Sequence, residues 1–376
     1  MKKIVHLIDS LGIGGAQTHL LTILKCADRE RYLHVVYSLT DELNIGREIE
    51  SLGVKVVSLN LKAPLKEKRW IVTIRVISEM LKDEKPDILE THLTWSRIFG
   101  TIASVIIGRK NVISFEQGDI YNTGWQYTTA NFLVSFFIDK IIVCSNAMKE
   151  WIFKNYGISQ RKTMIMHNSV LTELFKPQGD RRNFRSTLGL GQDEIVLGSV
   201  GTLGTGVNKG MDYCIDAMSE LAKKYKNIKL LIVGDGELRE KLEMQAKDLG
   251  VEGIVNFLGF RRDITSILNT IDIFVLASPF EPCGIAIIEA MSMEKPVVCS
   301  ASGGTPELME DGVTGFLFTP RDPKDLTEKI DKLARNEKLR REMGAMARRR
   351  VEEKFEAKKY VRRLESIYAG LIDRRG

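Results

Sequence analysis

Ile271-Asp-Ile-Phe-Val-Leu-Ala-Ser-Pro-Phe-Glu281-Pro-Cys-Gly284-Ile-Ala-Ile-Ile-Glu289-Ala-Met-Ser-Met-Glu-Lys-Pro-Val-Val-Cys299 is the stretch on which the reading of this chain turns. Residues 271–277 form a nearly unbroken apolar run. It is too short for a helix and rich in Ile, Phe and Val, as expected of a strand buried on both faces of a parallel sheet. Ser278-Pro279 turns the chain, and from Ile285 to Met293 good helix formers run without a breaker until Pro296. Val297-Val298 then opens another strand. The result is a strand, loop, helix, strand unit with Glu281 in the loop and Glu289 about two turns into the helix.

Open α/β sheets bind ligands at the carboxyl ends of their strands, which is where Glu281 falls. A helix beginning at Gly284-Ile285-Ala286 presents backbone N–H groups and a positive dipole end, suited to phosphate. Glu289 on the same helix is placed to accept hydrogen bonds from hydroxyls attached to that phosphate. Phosphate and hydroxyl recognition together describe a sugar nucleotide site.

The two glutamates eight positions apart, Gly284 between them and Gly303-Gly304-Thr-Pro306-Glu307 after the next strand resemble the retaining glycosyltransferases of family 4. That family includes sucrose synthase and the phosphatidylinositol mannosyltransferases. The resemblance implies the GT-B fold: two doubly wound Rossmann-like α/β domains facing a central cleft, with a C-terminal helix crossing back to the first. It also implies transfer of a sugar from a UDP or GDP sugar, with Glu281 orienting the sugar and Glu289 holding the ribose.

Composition fits such an enzyme. The 376 residues suggest two or three domains, and 44% hydrophobic with 28% charged residues describes an ordinary globular chain. No apolar run reaches membrane-spanning length, because Asp139-Lys140 interrupts the nearest. Asp9 and the glycines after it cut short any signal-peptide reading of the first residues. Five scattered cysteines without a Cys-x-x-Cys pair suggest a reducing cytoplasm, with neither disulfides nor a zinc site. A net charge of +6 is too weak to indicate nucleic acid.

In chain order, the strand Lys3–Ile8 leads into Gly12-Ile-Gly14-Gly15-Ala16-Gln17. The dinucleotide fingerprint is absent, since Gln17 stands where its last glycine belongs. The turn resembles the family's N-terminal Gly-Gly turn, so Gly14 and Gly15 are expected to bind substrate. Strand-like runs at Leu33–Leu39 and Val54–Leu59 continue a βαβα alternation. The basic run Lys62–Trp70 suggests a solvated face with weak contact to anionic membrane. Two further strands end at His92 and Glu116, both expected at the ligand-facing edge; the family commonly has a histidine where Glu116 stands.

Met164-Ile-Met-His167-Asn168 through Phe175-Lys-Pro177 resembles the segment closing the family's first domain. The expected domains are therefore 1–177, with the crossing helix 355–376, for the acceptor, and 178–354 for the donor. Polar residues 178–193 suggest a linker. Thr202-Leu-Gly204-Thr-Gly206-Val-Asn-Lys209-Gly210 superficially resembles a Walker loop, but the lysine comes too late and no Ser or Thr follows it. In the family this loop brings an arginine and a lysine to the diphosphate; Lys209 matches the lysine, while Thr202 occupies the arginine's place. Gly259 is expected near the base through its backbone.

No cofactor beyond the nucleotide sugar is expected, and no metal at the donor site, because no carboxylate pair stands at a strand end for Mg²⁺. The acceptor is expected to be a carbohydrate or a lipid-linked sugar in cell-surface polysaccharide or glycolipid synthesis, with the protein cytoplasmic and peripheral on the inner membrane face. A sugar nucleotide epimerase and a non-catalytic sugar-nucleotide-binding protein are the alternatives.

Overall fold

The short β-rich runs alternate with amphipathic helices throughout, and in the computed structural model every paired strand is parallel. The structure describes residues 1–61, 70–108, 111–118, 124–204, 209–282 and 284–373; the basic run at 62–69 lies outside them. The chain divides into two compact units, Met1–Ser169 with Ala357–Gly376, and Val170–Glu356.

The first unit contains β1 (Lys2–Ile8), β2 (Tyr32–Ser38), β3 (Lys55–Ser58), β4 (Ile88–His92), β5 (Val112–Glu116), β6 (Lys140–Val143) and β7 (Thr163–Ile165), in the order β3-β2-β1-β4-β5-β6-β7. Such a sheet is covered on both faces, so its strands are almost continuously buried, as in β4 and β5. The last helix, Ala357–Asp373, belongs to this unit. Its Tyr360, Val361, Leu364, Tyr368 and Leu371 pack with Ile4, Ile88, Ile113 and Phe115.

The second unit contains β8 (Ile195–Val200), β9 (Ile228–Val233), β10 (Val255–Gly259), β11 (Ile273–Leu276), β12 (Val297–Ser300) and β13 (Gly315–Phe318), in the order β10-β9-β8-β11-β12-β13. The opening stretch is thus strand β11, a turn, the helix Ile285–Ser292 and strand β12. Among the described residues no helix is long and apolar enough to cross a membrane.

Three expectations need correction. The polar stretch 178–193 is not a linker but carries the helix Arg181–Thr187. Its Arg185 is 2% exposed and donates to the carbonyls of Thr270, Gly191, Gln192 and Glu194 and to Asp272 Oδ2 at 2.7 Å. A guanidinium has five donors, so this one side chain ties together three segments that look merely hydrophilic in sequence. The boundary also falls earlier than 177: Val170 bridges Glu356, and Phe175 packs on the second unit's core. Finally, the thiols of Cys214 and Cys299 are buried outside any disulfide, whereas Cys144 is disulfide-bonded. Sequence spacing is blind to cysteines that folding brings together.

Candidate active site

Each sheet reverses its strand order once, between β1 and β4 in the first and between β8 and β11 in the second. Loops leaving adjacent strands in opposite directions open a crevice at such a point. In the second unit, the loop after β8 ends at Lys209 and the loop after β11 carries Glu281.

These two side chains meet. Lys209 Nζ lies 2.8 Å from Glu281 Oε2, although 72 residues separate them. Glu281 is 5% exposed; its Oε1 accepts from the Gly284 amide at 3.0 Å and its Oε2 from Ser278 Oγ at 3.3 Å. Its backbone carbonyl accepts from Gly304 N at 2.8 Å. The Gly303-Gly304 turn therefore locks the Glu281 loop, and a Cβ on Gly303 would lie 2.3 Å from that same carbonyl oxygen.

Glycine is required at two helix starts here. Gly284, φ +54°, opens the helix Ile285–Ser292, and a side chain there would strike Leu308 and Ile287. Gly210, φ +71°, opens the helix Met211–Lys224, and a Cβ would come within 2.0 Å of the Ala277 carbonyl oxygen at the end of β11. The close approach of this helix to β11 sets the distance from Lys209 to Glu281.

Glu289 lies on the helix opened by Gly284. It is 9% exposed and, among the described residues, its carboxyl has no hydrogen-bond or ion-pair partner. Burial pushes it up to about 8. A carboxyl kept without a protein partner costs stability, which is the mark of a group held for a ligand. Thr202 is exposed, and Gly259, φ +64°, accepts through its carbonyl from the Gly234 amide at 2.9 Å. The structure thus gathers Lys209, Glu281 and Gly284 at one switch point.

In the first unit, Gly14 precedes the helix Gly15–Cys26 in extended conformation, and Gly15 is exposed. His92 and Glu116 end β4 and β5 as expected, with both side chains 1% exposed. Glu116 forms a buried ion pair with Arg97, whose Nε also donates to Asn131 Oδ1 at 2.8 Å. A carboxylate so deep needs a cation, and Arg97 supplies it. His92 stacks on Phe115 with ring centroids 4.8 Å apart. Sequence reading missed Asp9, whose carboxylate caps the helix after β4 through the amides of Trp95 and Ser96 at 3.1 and 2.6 Å. Only the β1–β4 pairing brings it there.

Two Rossmann-like units with these groups at the second switch point define a glycosyltransferase of the GT-B type. Residues 13–174 match the family model described as Glycosyltransferase Family 4, and residues 180–350 the model described as Glycosyl transferases group 1. The chain belongs to glycosyltransferase family 4 and is a nucleotide-sugar-dependent enzyme.

It is 28% identical to the capsular polysaccharide biosynthesis glycosyltransferase CapM of Staphylococcus aureus, over 80% of this chain and 83% of that one. Against the Escherichia coli UDP-Gal:alpha-D-GlcNAc-diphosphoundecaprenol alpha-1,3-galactosyltransferase the identity is 27%, over 78% of each chain. Among solved structures, Anabaena HepE in complex with UDP is similar over 98% of this chain and 100% of that one, with a TM-score of 0.83 and 26% identity.

Proposed function

We propose that this enzyme transfers a hexosyl group from a uridine diphosphate sugar to a hydroxyl of a carbohydrate or lipid-linked acceptor, with retention of anomeric configuration, during assembly of cell-surface polysaccharide or glycolipid. The observation that carries the donor reading is the Lys209–Glu281 pair on a helix start, together with Glu289, a buried carboxyl without a partner among the described residues. The named activities of the Staphylococcus and Escherichia relatives and the UDP complex of HepE support the donor and acceptor classes. The Escherichia acceptor is a lipid-linked diphosphate, which supports work on the cytoplasmic face of a membrane.

In this proposal the second unit holds the donor. Lys209 and the start of the helix at Gly284, Ile285 and Ala286 face the diphosphate, whose negative charge grows as the glycosidic bond breaks. Glu281 orients the sugar, Glu289 accepts from the ribose hydroxyls, and Gly259 and Thr202 lie alongside the nucleotide. The new C–O bond forms on the face from which the diphosphate departs, and the acceptor's proton passes to a diphosphate oxygen. The first unit contributes the bare backbone of Gly14 and Gly15. No contact is assigned to His92 or Glu116, whose side chains are engaged with Phe115 and Arg97. Charge neutralisation comes from Lys209 and backbone, so no divalent ion is assigned to the donor.

A thermal-shift series over UDP and GDP sugars tests the donor. A ligand at a hundred times its Kd stabilises a protein by about 2.7 kcal/mol, well within detection. The cognate UDP sugar should raise Tm, and free UDP should then appear only when an acceptor glycan or glycolipid is added. Conversion of the sugar without any acceptor would mark an epimerase instead. No shift with any UDP sugar would refute the donor assignment.

A further inference from the structure

The most concentrated chemistry outside the donor site lies inside the first sheet. β1 and β4 pair so that His6 stands directly opposite Glu90, and His92 follows Glu90 by two residues on the same strand face. Their ligand-type atoms converge: His6 Nδ1 is 2.9 Å from Glu90 Oε2 and 3.3 Å from His92 Nε2, and His92 Nε2 is 3.6 Å from Glu90 Oε2. All three residues are at most 1% exposed.

Hydrogen bonds link the imidazoles, His92 to His6 and His6 to His34, but leave the carboxylate between them short of partners. Neither Glu90 oxygen has a hydrogen-bond partner despite the 2.9 Å contact, and His92 Nδ1 has none either. Among the described residues, the basic groups paired with this fully buried carboxylate are the two imidazoles. An ionised carboxylate in that position costs several kcal/mol unless a cation balances it. Tetrahedral coordination with bonds of about 2.0–2.1 Å places ligand atoms about 3.3 Å apart, which is the mean spacing of this triangle. The ring of His6 is also oriented as a ligand's would be: its other nitrogen, Nε2, lies 2.8 Å from His34 Nδ1. A second-shell bond of this kind fixes the tautomer, leaving Nδ1 with its lone pair toward the triangle.

We propose that His6, Glu90 and His92 bind a divalent metal ion of the zinc class that clamps β1 to β4 at the switch point of the first sheet. Imidazole with carboxylate suits zinc better than magnesium or calcium, which prefer all-oxygen shells. The site is structural. It anchors the two strands from which the Gly14 turn and the Asp9-capped helix depart, and it is built wholly from the first unit, whereas the donor groups belong to the second. The sequence offers no Cys-rich or His-x-x-x-His signal for it, because two ligands come from one strand and the third from a strand more than eighty residues earlier.

The test is elemental analysis of the full chain purified without chelator or metal-affinity resin, followed by cobalt replacement. About one zinc per chain is expected, with visible d–d absorption after cobalt uptake that marks a nitrogen- and oxygen-ligated tetrahedral ion. Glu90→Gln and His92→Ala should each lose the metal, and stripping the wild-type protein should lower its Tm. Wild-type protein with metal at background, no cobalt band and no Tm response to added Zn²⁺ would overturn the proposal, whatever the variants do. Full metal content in both variants would overturn it equally.

Discussion

At Glu289 a single carboxyl is held at about 8 by burial alone. The folded pKa lies above the ordinary value of 4.5, so between about pH 4.5 and about pH 8 the folded protein keeps a proton that the unfolded chain has lost. Stability therefore falls as pH rises through that window and levels off above it. Glu289→Gln removes this slope: its Tm relative to wild type should be higher near pH 9 than near pH 5, measured without donor. Glu289→Ala should weaken UDP-sugar binding by about 1.5–3 kcal/mol, read by calorimetry, if the ribose hydroxyls bond there. An unchanged Kd would remove Glu289 from the site. The spacing of Glu281 and Glu289 made this pair visible in sequence because both sit on one local unit. The ion pair of Glu116 was not legible because Arg97 comes from the helix Thr94–Ile106, and that of Asp272 was hidden for the same reason, Arg181 and Arg185 lying 91 and 87 residues away.

Among elements, the junction of the helix Met211–Lys224 with β11 shows what glycine does and what pattern reading can see. Gly210 and Gly250 both have left-handed backbone, φ +71° and +66°. At Gly250, after the helix Arg239–Asp248, an added Cβ meets nothing within 4 Å, whereas at Gly210 it meets the backbone of Ala277. Gly250→Ala should then cost about 1–2 kcal/mol from backbone strain alone, with turnover unchanged. Gly210→Ala carries the same strain plus a clash that no side-chain rotation relieves, so a loss of about 3 kcal/mol or more is expected. It should also slow transfer, because Lys209 shifts relative to Glu281. Denaturant titrations and initial rates on the two variants separate the effects; equal losses would show that the close approach does not matter. The alternation of strands and helices was legible throughout, since period and length reveal elements. The identity of the helix hidden in 178–193 was not, because its burial is carried by Arg185 and not by an apolar stripe.

For the whole molecule, the decisive feature is that one unit is continuous and the other is not. Val170–Glu356 is a single run of chain, while the first unit depends on the last helix returning to it. The apolar spacing of Tyr360, Val361, Leu364 and Tyr368 already marked an amphipathic helix in the sequence, but only its resemblance to the family indicated which unit it serves. In the structure it fills the first unit's core and bonds it as well: Glu365 accepts from the Asp28 amide at 2.8 Å, and its carbonyl accepts from Tyr32 Oη at 3.3 Å. Five buried side chains at about 1.5–3 kcal/mol each approach or exceed the whole margin of about 5–15 kcal/mol by which a domain is stable. A chain ending at Glu356 should therefore lose the first unit's cooperative unfolding while the second unit keeps its own, since the Val170–Glu356 bridge and the helix Glu337–Lys354 remain. Limited proteolysis should digest residues 1–169 and leave a resistant fragment covering 170–356, which still binds a UDP sugar if the donor groups belong to that unit. Survival of an intact first unit without Ala357–Asp373 would show that its sheet is held by the other helices, and rapid digestion of both units would show that neither folds on its own.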